Sequence, residues 1–210
     1  DIFTTFEGDN TVLTQLAAKG VLSEFQSQFS GGGFKSIIKF LGVQAQSRIS
    51  SLNPIYSRKT DHEHLRNPKF HMHAVNYRLE ELTLSISERM RALLNRRISP
   101  YEAFLRVQPH VLAVGEAYAD KLEVDSFYEY VEDNFSLAND AYPEIIHNLA
   151  ALSSLTIISN RKAWYLEKGY INASKSKAIR TQIKELSAEV RPFLPDVMEA
   201  MGVDATRISV

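Results

Sequence analysis

The stretch "VNYRLEELTLSISERMRAL", residues 75–93, decides the fold class. Val75, Leu79, Leu82, Ile86, Met90 and Leu93 recur at spacings of three and four, the period of one helix face. An apolar stripe this long needs long helical neighbours to cover it. Those neighbours are legible downstream. Ser99-Pro100-Tyr101-Glu102 reads as a helix start, with Ser99 as N-cap, Pro100 at the first helical position and Glu102 completing a capping box. Phe104, Val107, Val111, Val114, Tyr118 and Leu122 form the inward face of that helix, and Pro109 predicts a kink in it. The next helix begins near Asp140 and passes Ile145, Leu149, Leu152 and Leu155 on the way to Trp164, with Gly169 as its stop. Asn172 or Ser174 starts another, with Ile179, Ile183, Leu186 and Val190 inward. Pro192 and Pro195 end it, and a short last helix closes before Gly202. No segment alternates convincingly with a period of two, so the expectation is an all-α helical bundle.

Upstream of that stripe the pattern is again helical. Asp9, Asn10 and Thr11 can each cap a helix, and Val12, Leu13, Leu16, Ala17 and Val21 follow on one apolar face. Gly31-Gly32-Gly33 then interrupts the chain, since each glycine weakens a helix by about 1 kcal/mol relative to alanine. The glycines are read as a hinge and as the boundary between a first region, residues 1–30, and a second, residues 31–210. A helix is expected from about Phe34 to Ser50 with Ile37, Ile38, Leu41 and Ala45 inward, followed by a polar loop over residues 51–68.

Composition narrows the function classes. The 210 residues carry a formal net charge of −1 and are 44% hydrophobic, enough for one cored domain with or without a small second unit. Near-neutral charge gives no reason to expect nucleic acid or an acidic membrane surface as a partner. No apolar run approaches the ~18 residues of a membrane span. There is no cysteine, which suits a reducing compartment. No signal peptide is visible and Ile208-Ser209-Val210 is not a peroxisomal address, so the expected location is cytoplasmic. The chain opens on Asp1 rather than Met, which suggests a piece of something longer.

Few residues carry the look of chemistry. Glu7, between Phe6 and Gly8 at the mouth of a helix, has two readings. In one it is a solvated acid that favours the positive end of the helix dipole. In the other an apolar wall desolvates it towards the pKa of a general base, and glycine admits a substrate close to the backbone. "DHEHLRNPKFHMH" holds His62, His64, His71 and His73, but the spacing is wrong for a helical metal site and the stretch crosses a proline. Surface histidines and no metal are expected there, while His110 and His147 are read as structural. Trp164-Tyr165 and Phe127-Tyr128 read as core aromatics, and Lys175, Lys177 and Arg180 as a solvated face. There is no Gly-rich phosphate loop and no nucleophile elbow.

"TTFEGDNTVLTQLA", residues 4–17, resembles the catalytic loop of the acyl-CoA oxidase branch of the acyl-CoA dehydrogenase superfamily. "LRNPKFHMHAVNYRLEEL" looks like that family's junction between helical domains. "WYLEKGYINASKSKAIRTQIKELSAEVRPFLPDVMEAMGV" resembles its carboxyl-terminal domain, where an aromatic pair and Gly-Tyr lead to Leu-x-x-Glu-hydrophobic-Arg-Pro. The three stretches are collinear and span essentially the whole chain. The resemblance implies an FAD-dependent oxidation of a fatty acyl-CoA to the trans-2-enoyl-CoA, with O₂ reduced to hydrogen peroxide. Glu7 would be the base that removes the α-proton. Gly8 would lie along the thioester and Phe6 would wall the acyl pocket. Asp9, Asn10 and Thr11 would approach the flavin. Residues 1–30 would then be the catalytic loop and last helix of a dehydrogenase-like domain, and 31–210 the oxidase carboxyl-terminal domain. The implied partners are the acyl-CoA substrate, the amino-terminal helical and β-domains of a parent protein, and a second copy in a homodimer. Without the β-domain, the isolated chain is expected to hold no FAD and to be inactive. The alternatives are an acyl-CoA dehydrogenase passing electrons to a flavoprotein, or a non-catalytic helical module for packing or dimerisation.

Overall fold

The computed structural model describes residues 10–27, 58–135, 142–200 and 202. Among them the secondary structure is helical, with one short 3-10 turn and no strand, so the all-α expectation holds. Helix α1 spans Thr11–Ser27, α2 His62–Leu65, α3 Pro68–Asn95 and α4 Pro100–Phe135. Then come α5 Tyr142–Asn160, α6 Lys162–Glu167, α7 Ala173–Val190, the 3-10 turn Arg191–Phe193 and α8 Leu194–Ala200. The expected glycine hinge at residues 31–33 and the helix expected over residues 34–50 lie outside the described residues.

The helix ends follow from local chemistry. Asp61 caps α2, its Oδ1 accepting from the His64 amide at 2.9 Å. The Asn67 side chain accepts from the Lys69 amide at 2.9 Å, and Pro68 needs no partner for an amide hydrogen it lacks. At the other end of α3, Arg97 turns left-handed at φ 60°, and the Ile98 amide reaches back to the Leu93 carbonyl at 3.3 Å. Ser99 then caps α4 as expected, its Oγ accepting from the Glu102 amide at 3.2 Å. The Glu102 carboxylate pairs with Arg106 one turn on. Helix α4 continues through Pro109. Asn172 is the α7 cap, accepting from the Lys175 amide at 2.8 Å. Gly169, at φ +68°, ends α6 in the left-handed conformation that a side chain would disfavour. The single helix expected to reach Trp164 is divided at Arg161 into α5 and α6.

The described residues fall into two compact units, and the division lies inside α3 and α4. The first holds α1 with Ala74–Glu123. Its core gathers Ala18, Ile86, Val107, Val111 and Val114, with Leu79, Leu82, Met90 and Leu93 packed on it. The apolar stripe of residues 75–93 is therefore the α3 half of this core. The second unit holds α2, the start of α3 as far as His73, and the described chain from Val124. There α5 packs on α7, burying Ile145, Leu155 and Ile158 with Ile179, Leu186 and Val190. Each such side chain contributes about 1.5–3 kcal/mol relative to exposure.

Two of the expected inward faces are not fully covered. On α1, Val12 is 71% exposed and Leu16 66%, while Ala18 is buried. On α4, Phe104, Tyr118 and Leu122 are exposed to one side of the buried Val107, Val111 and Val114. Periodicity identifies which side chains share a face. It does not say whether anything lies against that face.

Candidate functional site

Two places emerge from the geometry. The first is the amino-terminal end of α1. Glu7, with Phe6, Gly8 and Asp9, lies outside the described residues, and Asn10 and Thr11 are described. Asn10 is exposed in the turn that precedes α1. Its carbonyl accepts from both the amide and the hydroxyl of Thr14, at 2.8 and 2.9 Å. No acid stands in the first turn of α1. This helix makes a close approach to α4. A Cβ added at Gly115 would lie 2.4 Å from the Thr14 carbonyl oxygen and 2.7 Å from Thr14 Cγ2. Gly115 is thus a positioning residue for the helix that follows the Glu7 loop. Sequence reasoning misses it, because a lone glycine inside a helical pattern carries no sign of which backbone it faces.

The second place is a polar core in the second unit, and it is built from the histidine-rich stretch. His71 is 0% exposed and His64 5%, so the expectation of surface histidines fails for both. His71 Nε2 lies 2.7 Å from the Leu65 carbonyl oxygen, and Nδ1 lies 2.6 Å from the Tyr128 hydroxyl. A carbonyl only accepts, so Nε2 carries the proton and Nδ1 accepts from the tyrosine. That arrangement requires a neutral ring, and burial indeed pushes His71 down to about 4. Burial also raises the Tyr128 phenol, keeping it protonated. His73 pairs through Nδ1 with the Tyr170 hydroxyl at 2.7 Å, and the two rings stack.

Lys175 overturns a second expectation. The expected solvated face is correct for Lys177 and Arg180, both exposed, but Lys175 itself is 1% exposed. Its Nζ donates to His64 Nε2 at 2.9 Å and sits 4.0 Å from the centre of the Phe70 ring. The helical register turns this one member of the basic run inward, where an aromatic face and an imidazole replace water. Burial pushes its ammonium down to about 8. Burial, and then the charge of Lys175, pushes His64 down to about 4. These side chains are engaged with one another and with aromatic rings. Among the described residues no group of three or more His, Asp or Glu is placed to hold a metal ion.

One more contact ties the unit together. Arg66 meets Glu189 in a two-pronged pair, Nη1 to Oε2 at 2.7 Å and Nη2 to Oε1 at 2.6 Å. Asn148 Nδ2 donates to the same carboxylate at 3.3 Å. The guanidinium holds Glu189 below the usual carboxylate range. Arg66 belongs to the "LRNP" stretch and Glu189 to the "LSAEVRP" stretch. Tyr170, of the Gly-Tyr pair, is the partner of His73. The motifs that carried the resemblance in the middle and at the end of the chain therefore meet in space within this unit.

Comparison with known proteins agrees with that assembly. An acyl-coenzyme A oxidase 2 of Arabidopsis thaliana, named peroxisomal, is 29% identical over 200 residues, covering 95% of this chain and 28% of the plant protein. An acyl-coenzyme A oxidase-like protein of Mus musculus is 22% identical over 204 residues, covering 97% of this chain and 31% of its own. The chain thus spans under a third of the length of these relatives. Crystal structures of acyl-CoA oxidase 3 and acyl-CoA oxidase 1 from Yarrowia lipolytica share the fold, each with a TM-score of 0.73 at 19% identity. They match 96% and 97% of this chain and 27% and 28% of theirs. The family model described as acyl-CoA oxidase matches residues 67–203, which run from the foot of α3 past the end of α8 and include His71, Tyr128, Lys175 and Glu189, and the chain belongs to the acyl-CoA oxidase family.

Proposed function

We propose that this chain is the carboxyl-terminal portion of an FAD-dependent acyl-CoA oxidase that converts a fatty acyl-CoA to its trans-2-enoyl-CoA. Membership of the acyl-CoA oxidase family over residues 67–203 carries the reading. Glu7 is the base: it takes the α-proton of the thioester, four residues ahead of the start of α1. Gly8 lies along the thioester, where a side chain would obstruct it, and the backbone amide of Glu7 holds the thioester oxygen as negative charge develops. Phe6 walls the acyl chain and excludes water from the carboxylate. Asp9, Asn10 and Thr11 lie towards the cofactor. The opening turn of α1 fits such a group, since the amides of a helix start favour oxygen acceptors. FAD, when bound, supplies the hydride acceptor, and O₂ takes the electrons as hydrogen peroxide.

The reading extends to organisation. Residues 1–30 complete a dehydrogenase-like domain and 31–210 form the oxidase carboxyl-terminal domain. The remaining domains of the longer protein and a second copy in a homodimer complete the assembly. For location, the relatives named peroxisomal weigh against the cytoplasmic expectation. A fluorescent fusion of the full-length protein distinguishes the two, since coincidence with a peroxisomal marker rejects the cytoplasm.

The test of the chemistry is Glu7→Gln in the full-length protein. Gln keeps the shape and removes the base, and general-base catalysis contributes about 10²–10⁴-fold. Near-normal acyl-CoA binding is expected, with flavin that no longer bleaches when substrate is added without oxygen. Reduction at close to the wild-type rate would reject Glu7 as the base.

A further inference from the structure

In the first unit, α3 and α4 enclose a cleft of about 230 Å³. Arg89, Arg96, Arg106 and His110 line it, above Leu93 and Val107. Among the described residues no carboxylate lines the cleft. Arg106 is paired with Glu102, outside it. Arg89 gives only its Nε, to the Ser85 hydroxyl at 3.2 Å, and no acid lies within ion-pair distance of either Arg89 or Arg96 among the described residues. Three arginines and a histidine thus line one concavity, and among the described residues only Arg106 has an acid partner. Burial, and then the charge of Arg89, pushes His110 down.

We propose that this cleft binds a phosphorylated organic anion. Guanidinium forks match paired phosphate oxygens, and they hold oxyanions more tightly when the groups share one concavity. The volume exceeds that of a single phosphate, and Leu93 and Val107 offer an apolar floor to the organic part. The described lining comes from α3 and α4 alone. The shared chemistry is a diphosphate or a phosphate ester, whether from a free nucleotide or from the phosphates of coenzyme A.

Calorimetry of the full-length protein with inorganic pyrophosphate, at constant ionic strength maintained with sodium chloride, tests this. Saturable binding is expected, weakened at least tenfold in the double variant Arg89→Ala/Arg96→Ala and unchanged in Lys184→Ala. Both arginines are exposed, so the double variant should keep the helical circular-dichroism spectrum of the wild type. Titration with adenosine diphosphate and with free coenzyme A identifies the source by whichever loses affinity in the double variant. Equal pyrophosphate affinity in wild type and double variant, or no binding above the chloride-matched blank, overturns the proposal.

Discussion

At the scale of single residues, the unusual group is Lys175. A buried ammonium is disfavoured unless its surroundings replace water, and here an imidazole nitrogen and the Phe70 ring do so in part. Its folded-state value of about 8 lies below the ordinary 10.5, so between those values the unfolded chain binds more protons. Stability therefore rises with pH through that window as far as Lys175 is concerned. Asp61 favours the charged form and Lys59 opposes it, and neither reverses the effect of burial. Lys175→Met retains the stem against Phe70 and removes the charge. Unfolding by urea at pH 8 and at pH 9.5 should show the wild type gaining stability over this interval and the variant losing that gain. An equal pH slope in both proteins would show that Lys175 is not the source. His64 and His71 act in the acid range. With folded values of about 4 against 6.5, each makes the unfolded chain the better proton binder between those values, so stability falls as pH drops from 6.5 through 4.

At the scale of elements, the first half of α1 makes a close crossing with α4. Val12, Leu13 and Leu16 are exposed, while Ala18 is buried and Thr14 meets Gly115. Gly115→Ala places a methyl group on a backbone carbonyl that cannot swing aside as a side chain would. Overpacking of this kind costs about 1–3 kcal/mol. A lower melting temperature is expected, and Thr14→Ala in the same background should not restore it, because the nearest atom is Thr14 O. Gly20, on the same helix, has nothing within 4 Å of an added Cβ. Gly20→Ala should therefore stabilise by about 0.5–1 kcal/mol. If both glycine variants shift the melting temperature in the same direction, the close-crossing account fails.

At the scale of the whole molecule, the family motifs serve folding in the part of the chain that is described. Arg66 and Glu189 stand 123 positions apart and share one carboxylate–guanidinium pair, and His73 and Tyr170 stand 97 apart. Such contacts form only when the unit has assembled. The chain covers 28% of the plant relative's length. Purified alone, the 210-residue chain should be helical and colourless. It should form no peroxide from acyl-CoA. Stoichiometric FAD retained through gel filtration would contradict this.

Periodicity and capping determine much of this protein from the order of its amino acids alone. The α3 stripe, the Ser99 and Asn172 caps and the Gly169 stop are local, set by interactions within a few residues, so a linear reading finds them. The family likewise follows from collinear motifs. What the sequence could not supply was the environment of each polar side chain. His64, His71 and Lys175 have the character of surface residues, because imidazoles and ammonium groups normally favour water. Only the assembled unit brings Leu65 O, the Tyr128 hydroxyl and the Phe70 ring to them. The exposed faces of α1 and α4 have the same origin: spacing defines an apolar face, and only tertiary packing decides whether a neighbour covers it.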